Sequence, residues 1–125
     1  MKGNDKLTIT VSIEKHDGTG PLYVKVEPFK APGTGKAKIE WVKKNTSDNF
    51  TMIGFAPYMP LGSTEPNPFK NIEVKDNKIK CKYEPDTNTP KDFEFRYILA
   101  AEQSGVAYNS DDPADTTHGN AVIRN

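Results

Sequence analysis

Asp92-Phe93-Glu94-Phe95-Arg96-Tyr97-Ile98-Leu99-Ala100 is the stretch whose reading decides the fold, and the chain turns back from it through Glu102-Gln103-Ser104-Gly105. Phe93, Phe95, Tyr97 and Leu99 fall at every second position with Glu94 and Arg96 between them, which is the period of a β-strand with one apolar and one polar face. Such a strand needs partners in a sheet and a second layer to cover its apolar face.

The same period recurs on both sides of it. Leu7, Ile9, Val11 and Ile13 alternate with Thr8, Thr10 and Ser12, and a strand is predicted there until Asp17-Gly18-Thr19-Gly20-Pro21 stops it. Leu22, Val24 and Val26 make a shorter strand, closed by Pro28 and the turn cluster Ala31-Pro32-Gly33-Thr34-Gly35, and its flanking prolines suit a sheet edge. Ala37, Ile39 and Trp41 place the only tryptophan on the apolar face of a third strand. Phe50, Met52, Ile53 and Phe55 are apolar on both parities, as in a strand covered on two sides or one bulged at Gly54.

Residues 71–75 and 78–83 flank Asp76-Asn77, which fits a two-residue hairpin turn with positive φ at both central positions. In that register Val74 faces Ile79, Ile72 faces Cys81 and Glu73 opposes Lys80. Strands are also predicted at 106–110 and 121–124. Eight or nine short strands, and no apolar stripe of helical period, define an all-β fold: an antiparallel two-sheet sandwich, immunoglobulin-like, occupying residues 1–125 as a single domain. A closed barrel satisfies the same alternation.

The totals remove several functions. Seventeen Lys and Arg balance seventeen Asp and Glu, so the chain lacks the net positive charge with which proteins gather nucleic acid or anionic membranes, and neither is expected as a partner. One cysteine, Cys81, cannot close an internal disulfide. No apolar h-region follows the first residues and no window approaches the ~18 apolar residues of a membrane span, so a soluble, cytoplasmic protein is expected.

Catalytic patterns are few. Ser104 or Ser110, His118 and an Asp can be drawn as a triad, yet no Gly-x-Ser-x-Gly elbow is present. His16, His118, Cys81 and a methionine supply the ligand types of a blue-copper site, but Cys81 is followed by Lys82-Tyr83-Glu84-Pro85 rather than by the other ligands, and reads as a buried thiol. Asp111, Asp112, Asp115 and His118 gather metal donors in one polar loop, 111–120, without the spacing of an EF-hand or a His-x3-His pair. Asp and Asn also simply make turns. Lys75, Lys78, Lys80 and Lys82 make either a patch for an acidic partner or a solvated strand face. Asn45-Thr46-Ser47 and Asn49-Phe50-Thr51 match glycosylation acceptors, with no secretion signal beside them.

Residues 57–69 form the longest irregular interior segment, stiffened by Pro57, Pro60, Pro66 and Pro68. Tyr58, Met59, Leu61 and Phe69 there are candidate binding residues, because loops on rigid sandwiches carry recognition; the alternative is that they fold back to cap the sandwich.

Val26-Glu27-Pro28, Tyr108-Asn-Ser-Asp-Asp112-Pro113 and the closing Ala121-Val-Ile-Arg give a chain that resembles the small bacterial DP-EP family over nearly its whole length. The resemblance implies an immunoglobulin-like sandwich of unestablished function and supplies no catalytic residues. The expected function is therefore a non-enzymatic module that presents loops or an edge strand to a protein or a glycan and needs no cofactor, with homo-oligomerisation through an edge strand as a special case. The alternative is a metal-binding protein or small metal-dependent hydrolase built on the 111–120 loop.

Overall fold

The computed structural model describes residues 5–15, 18–28, 30–32, 35–58, 64–91, 93–111 and 121–125, with backbone alone at positions 5, 30, 32 and 58. Its alternating segments become β1 (Asp5–Lys15), β2 (Leu22–Glu27), β3 (Lys30–Pro32), β4 (Ala37–Lys43), β5 (Thr51–Tyr58), β6 (Phe69–Lys75), β7 (Lys78–Tyr83), β8 (Glu94–Gln103), β9 (Val106–Asn109) and β10 (Ala121–Arg124). Among the described residues there is no α-helix, and so none long and apolar enough to cross a membrane.

Two sheets pack face to face. The first has the order β2-β1-β4-β7-β6 and the second β3-β10-β8-β5, with β9 also on β8. The expectation of purely antiparallel pairing needs correction, because β1 runs parallel to β4 and β3 parallel to β10. Parallel neighbours need a long connection between them. Here β2 and β3 are that connection for β1 and β4, carrying the chain to the other sheet and back.

β3 itself lies in what the sequence presents as a turn cluster. Its three residues pair on one side only, with β10, so Pro32, which has no N–H to give a ladder, sits at an edge where none is required. The chain reaches it from β2 through the cis Glu27–Pro28 bond.

Two bulges explain the irregular parities. In β5 the register against β8 shifts between Met52 and Gly54, so Ile53 is the extra residue. Met52 therefore points inward and is buried, Ile53 is 49% exposed, and Phe55 returns to the core. In β6 the register against β7 shifts between Lys70 and Glu73, and Asn71 takes φ 52°. Val74 does face Ile79 and Glu73 faces Lys80, whereas Ile72 does not pair with Cys81 as the unbroken register would have it.

The Asp76-Asn77 turn also differs from expectation, since neither residue has positive φ. The Asp76 carbonyl instead accepts the Met52 N–H at 2.9 Å, docking the turn on the start of β5 in the other sheet. The turn with two positive φ values joins β8 to β9, at Ser104 (55°) and Gly105 (81°), and the Glu102 carboxylate accepts the Gly105 N–H at 3.1 Å.

Between the sheets Ile9, Val11, Val24, Ile39 and Ile79 meet Met52, Phe95, Leu99, Ala101 and Ile123, all nearly or fully buried. Aromatic rings fill the centre. Trp41 lies 4.7 Å from Phe55 and 5.2 Å from Tyr97, and Phe55 stacks on Tyr97 at 5.3 Å and meets Phe69 edge-on at 5.4 Å. Each such pair contributes about 0.5–1.5 kcal/mol beyond the area it buries.

Candidate functional site

β8 is the strand with which β5, β9 and β10, the strands flanking the two irregular segments of the sequence, all pair. β5 runs along one edge of it from Thr51, opposite Glu102, to Tyr58, opposite Arg96. The other edge is shared: β9 pairs with Ala100–Gln103 of β8 and β10 with Glu94–Tyr97. β9 and β10 thus follow one line along β8, broken between Asn109 and Ala121.

The break removes ladder partners from Ile98 and Leu99 on that side. Ser110 repairs it: the residue is 1% exposed and its hydroxyl oxygen accepts the Leu99 N–H at 2.9 Å. A buried amide without an acceptor costs about 1–3 kcal/mol, so this serine has a structural task. As the nucleophile of the triad drawn from the sequence, it would be a group already engaged with backbone and closed to solvent.

Register places the end of β5 and the start of β10 on either side of the same two residues of β8. Pro57 and Ala121 flank Tyr97, and Tyr58 and Val122 flank Arg96. With adjacent strands about 4.8 Å apart, the point where residue 58 leaves β5 and the point where residue 121 enters β10 are roughly 10 Å apart across β8. Val122 shares the outer face with Arg96, yet is 2% exposed, so that face is covered at β10.

The candidate residues divide as follows. Phe69 is 3% exposed, opposite Tyr83 at the start of β6, and its ring packs on Phe55, Tyr83 and Tyr97. It belongs to the core, which corrects its assignment as a surface contact; its parity matches Tyr83 because the bulge at Asn71 lies beyond it. Tyr58 ends β5 and its side chain, with Met59 and Leu61, lies outside the described residues. Asp111 is exposed and its N–H donates to the Asn109 side-chain oxygen at 2.9 Å, an Asx turn. Asp112, Asp115 and His118 lie outside the described residues, and so does His16. Among the described residues no group of three His, Cys, Asp or Glu side chains is placed to hold a metal.

Cys81 is 5% exposed on β7, and burial pushes its thiol up to about 12. Burial likewise raises the Tyr97 and Tyr83 phenols, with the Trp41 hydrogen bond opposing the shift at Tyr97. These groups stay neutral near pH 7 and serve the interior. Lys78 and Lys80 are paired with Glu40 and Glu73 at 3.9 and 3.4 Å, as in a solvated strand face. The sequence does not announce the role of Ser110, whose acceptor task depends on a break in a partner strand.

The fold and this edge define a two-sheet β protein whose central strand β8 is bracketed by two loop departures. No protein-family model matches the sequence, and no curated protein matches it either.

Proposed function

We propose that this chain is a non-enzymatic interaction module of immunoglobulin-like topology, akin to the DP-EP family, that engages a protein or glycan partner at the β8 margin. In that scheme β4, β7 and β6 take the places of strands B, E and D, while β5, β8 and the β9–β10 line take those of C, F and G. β1, inserted between β2 and β4, is the departure from it. The observation that carries the reading is the shared register of Pro57 and Ala121 on either side of Tyr97, which sets the end of β5 and the start of β10 across one strand from each other. Loops held together on a rigid sheet are the usual way such scaffolds recognise partners. Tyr58, Met59 and Leu61 remain the proposed contacts, and Phe69 does not.

The test is capture of a saturable partner by the immobilised chain, from a glycan array and from lysate, followed by hydrogen exchange of the complex. Protection of residues 57–63 and loss of capture in Met59→Ser with Leu61→Ser, at unchanged Tm, is the expected result. Capture of no saturable partner, or protection confined to the other sheet, overturns it.

A further inference from the structure

On the outer face of the first sheet the register lines up four lysines from four neighbouring strands: Lys6 pairs with Lys38, Lys38 with Lys82, and Lys82 with Lys70. The inward neighbours Ile39, Cys81 and Phe69 are buried, which fixes the lysines to the opposite side. At a strand spacing of about 4.8 Å the row is roughly 14 Å long. Lys6 has a carboxylate within reach, Glu40 at 3.2 Å. Lys38, Lys70 and Lys82 are exposed, and among the described residues no carboxylate lies within ion-pair distance of them.

Like charges directly opposed across a ladder destabilise a sheet. The adjacent row shows the neutralised arrangement, Glu40–Lys80–Glu73, so the lysine row stands out against its own neighbour. Beside it, where β4, β7 and the bulged β6 meet, lies an open depression of about 330 Å³ lined by Lys38, Lys80, Lys82, Asn71, Glu40 and Glu73. That is the lower end of ligand-site volumes.

We propose that this face binds a linear anionic polysaccharide, its acidic groups along Lys70, Lys82 and Lys38 and its hydroxyls on the acceptors of the depression. Charge complementarity selects an anion, and the mixture of groups selects the kind. Glu40 and Glu73 repel an unbroken run of phosphates or carboxylates but accept hydrogen bonds from sugar hydroxyls, and the Asn71 amide both donates and accepts. The lining offers no aromatic ring on which nucleic-acid bases stack. With zero net charge on the chain the attraction is local to the row. This surface belongs to the sheet opposite β8 and does not depend on the loops there.

The test is calorimetric titration of the full chain with heparin-derived and uronic-acid oligosaccharides, an oligonucleotide and polyglutamate. Oligosaccharide binding is expected to weaken roughly five- to tenfold in Lys82→Ala and in Lys38→Ala, the scale of one charge-assisted contact, and to be unchanged in Lys25→Ala on β2. Melting curves check that these exposed substitutions leave the fold intact. Glu73→Ala separates the two chemistries: loss of a hydroxyl acceptor weakens binding, whereas relief of simple repulsion tightens it. No saturable binding, tighter binding in Glu73→Ala, or equal affinity for the oligonucleotide or polyglutamate overturns the proposal.

Discussion

The indole Nε1–H of Trp41 on β4 donates to the Tyr97 hydroxyl on β8 at 3.0 Å, a buried hydrogen bond that joins the two sheets between residues 56 positions apart. Each ring carries a polar atom into an apolar centre, and the phenol oxygen there is the acceptor of the indole donor. Tyr97→Phe leaves the indole N–H without its acceptor and is expected to cost about 1–3 kcal/mol. A double-mutant cycle with Trp41→Phe, followed by urea unfolding, should show coupling of about 0.5 kcal/mol or more; additive effects would mean that the contact contributes only packing.

Ser110→Ala removes the acceptor of the Leu99 N–H while keeping nearly the same volume. The expected loss is about 1–3 kcal/mol, with faster hydrogen exchange at the Leu99 amide in particular. Unchanged exchange there would show that water or backbone takes over the bond.

Phe69 and Phe95 are both core rings, at 3% and 0% exposure. Replacing either by Ala should destabilise by about 3–5 kcal/mol in denaturant unfolding. A Phe69→Ala variant of near-normal stability but impaired partner binding would restore the surface role that burial argues against.

Stability is expected to fall at both ends of the pH range. The Ser12 hydroxyl donates to Glu14 at 2.6 Å and holds its carboxyl below the usual value, against partial burial and with help from Lys25 and Lys44. Lys6 does the same for Glu40. A folded pKa below the unfolded one stabilises above the unfolded value, about 4.3 for Glu, and that contribution disappears as pH drops through the folded value. At the alkaline end Cys81, raised to about 12, favours folding fully below the unfolded thiol value and progressively less as pH rises toward 12. Tm against pH checks both limbs. Cys81→Ala should delay the alkaline decline to the range of the tyrosines, and in the unsubstituted chain the buried Cys81 thiol should label slowly.

Much of the fold was legible. Phe95, Tyr97 and Leu99 are buried as their spacing requires, Trp41 is a core anchor, Cys81 is a buried thiol, and the bulge anticipated at Gly54 lies one residue away at Ile53. β3 is not legible in the sequence because its three residues, the last of them Pro32, are too few to carry a period. The turn at Asp76-Asn77 takes a backbone other than the one its residues predict, and its Asp76 carbonyl is bound by the N–H of Met52, 24 positions earlier. Of the candidate site, the two irregular segments were visible in composition, whereas the register that sets Pro57 and Ala121 on either side of Tyr97 was not.

What the sequence determined by itself is which side of the regularly alternating strands β1, β2, β4, β7 and β8 faces the core: alternation is a property of one extended chain, and hydrophobic burial needs no knowledge of the partner. What only the tertiary structure decided is which strand lies beside which, and in what register. That depends on backbone hydrogen bonds between distant residues, whose donors and acceptors are alike at every position. The side-by-side departure of two loops at Tyr97, the acceptor role of Ser110 and the alignment of Lys6, Lys38, Lys82 and Lys70 all follow from register alone.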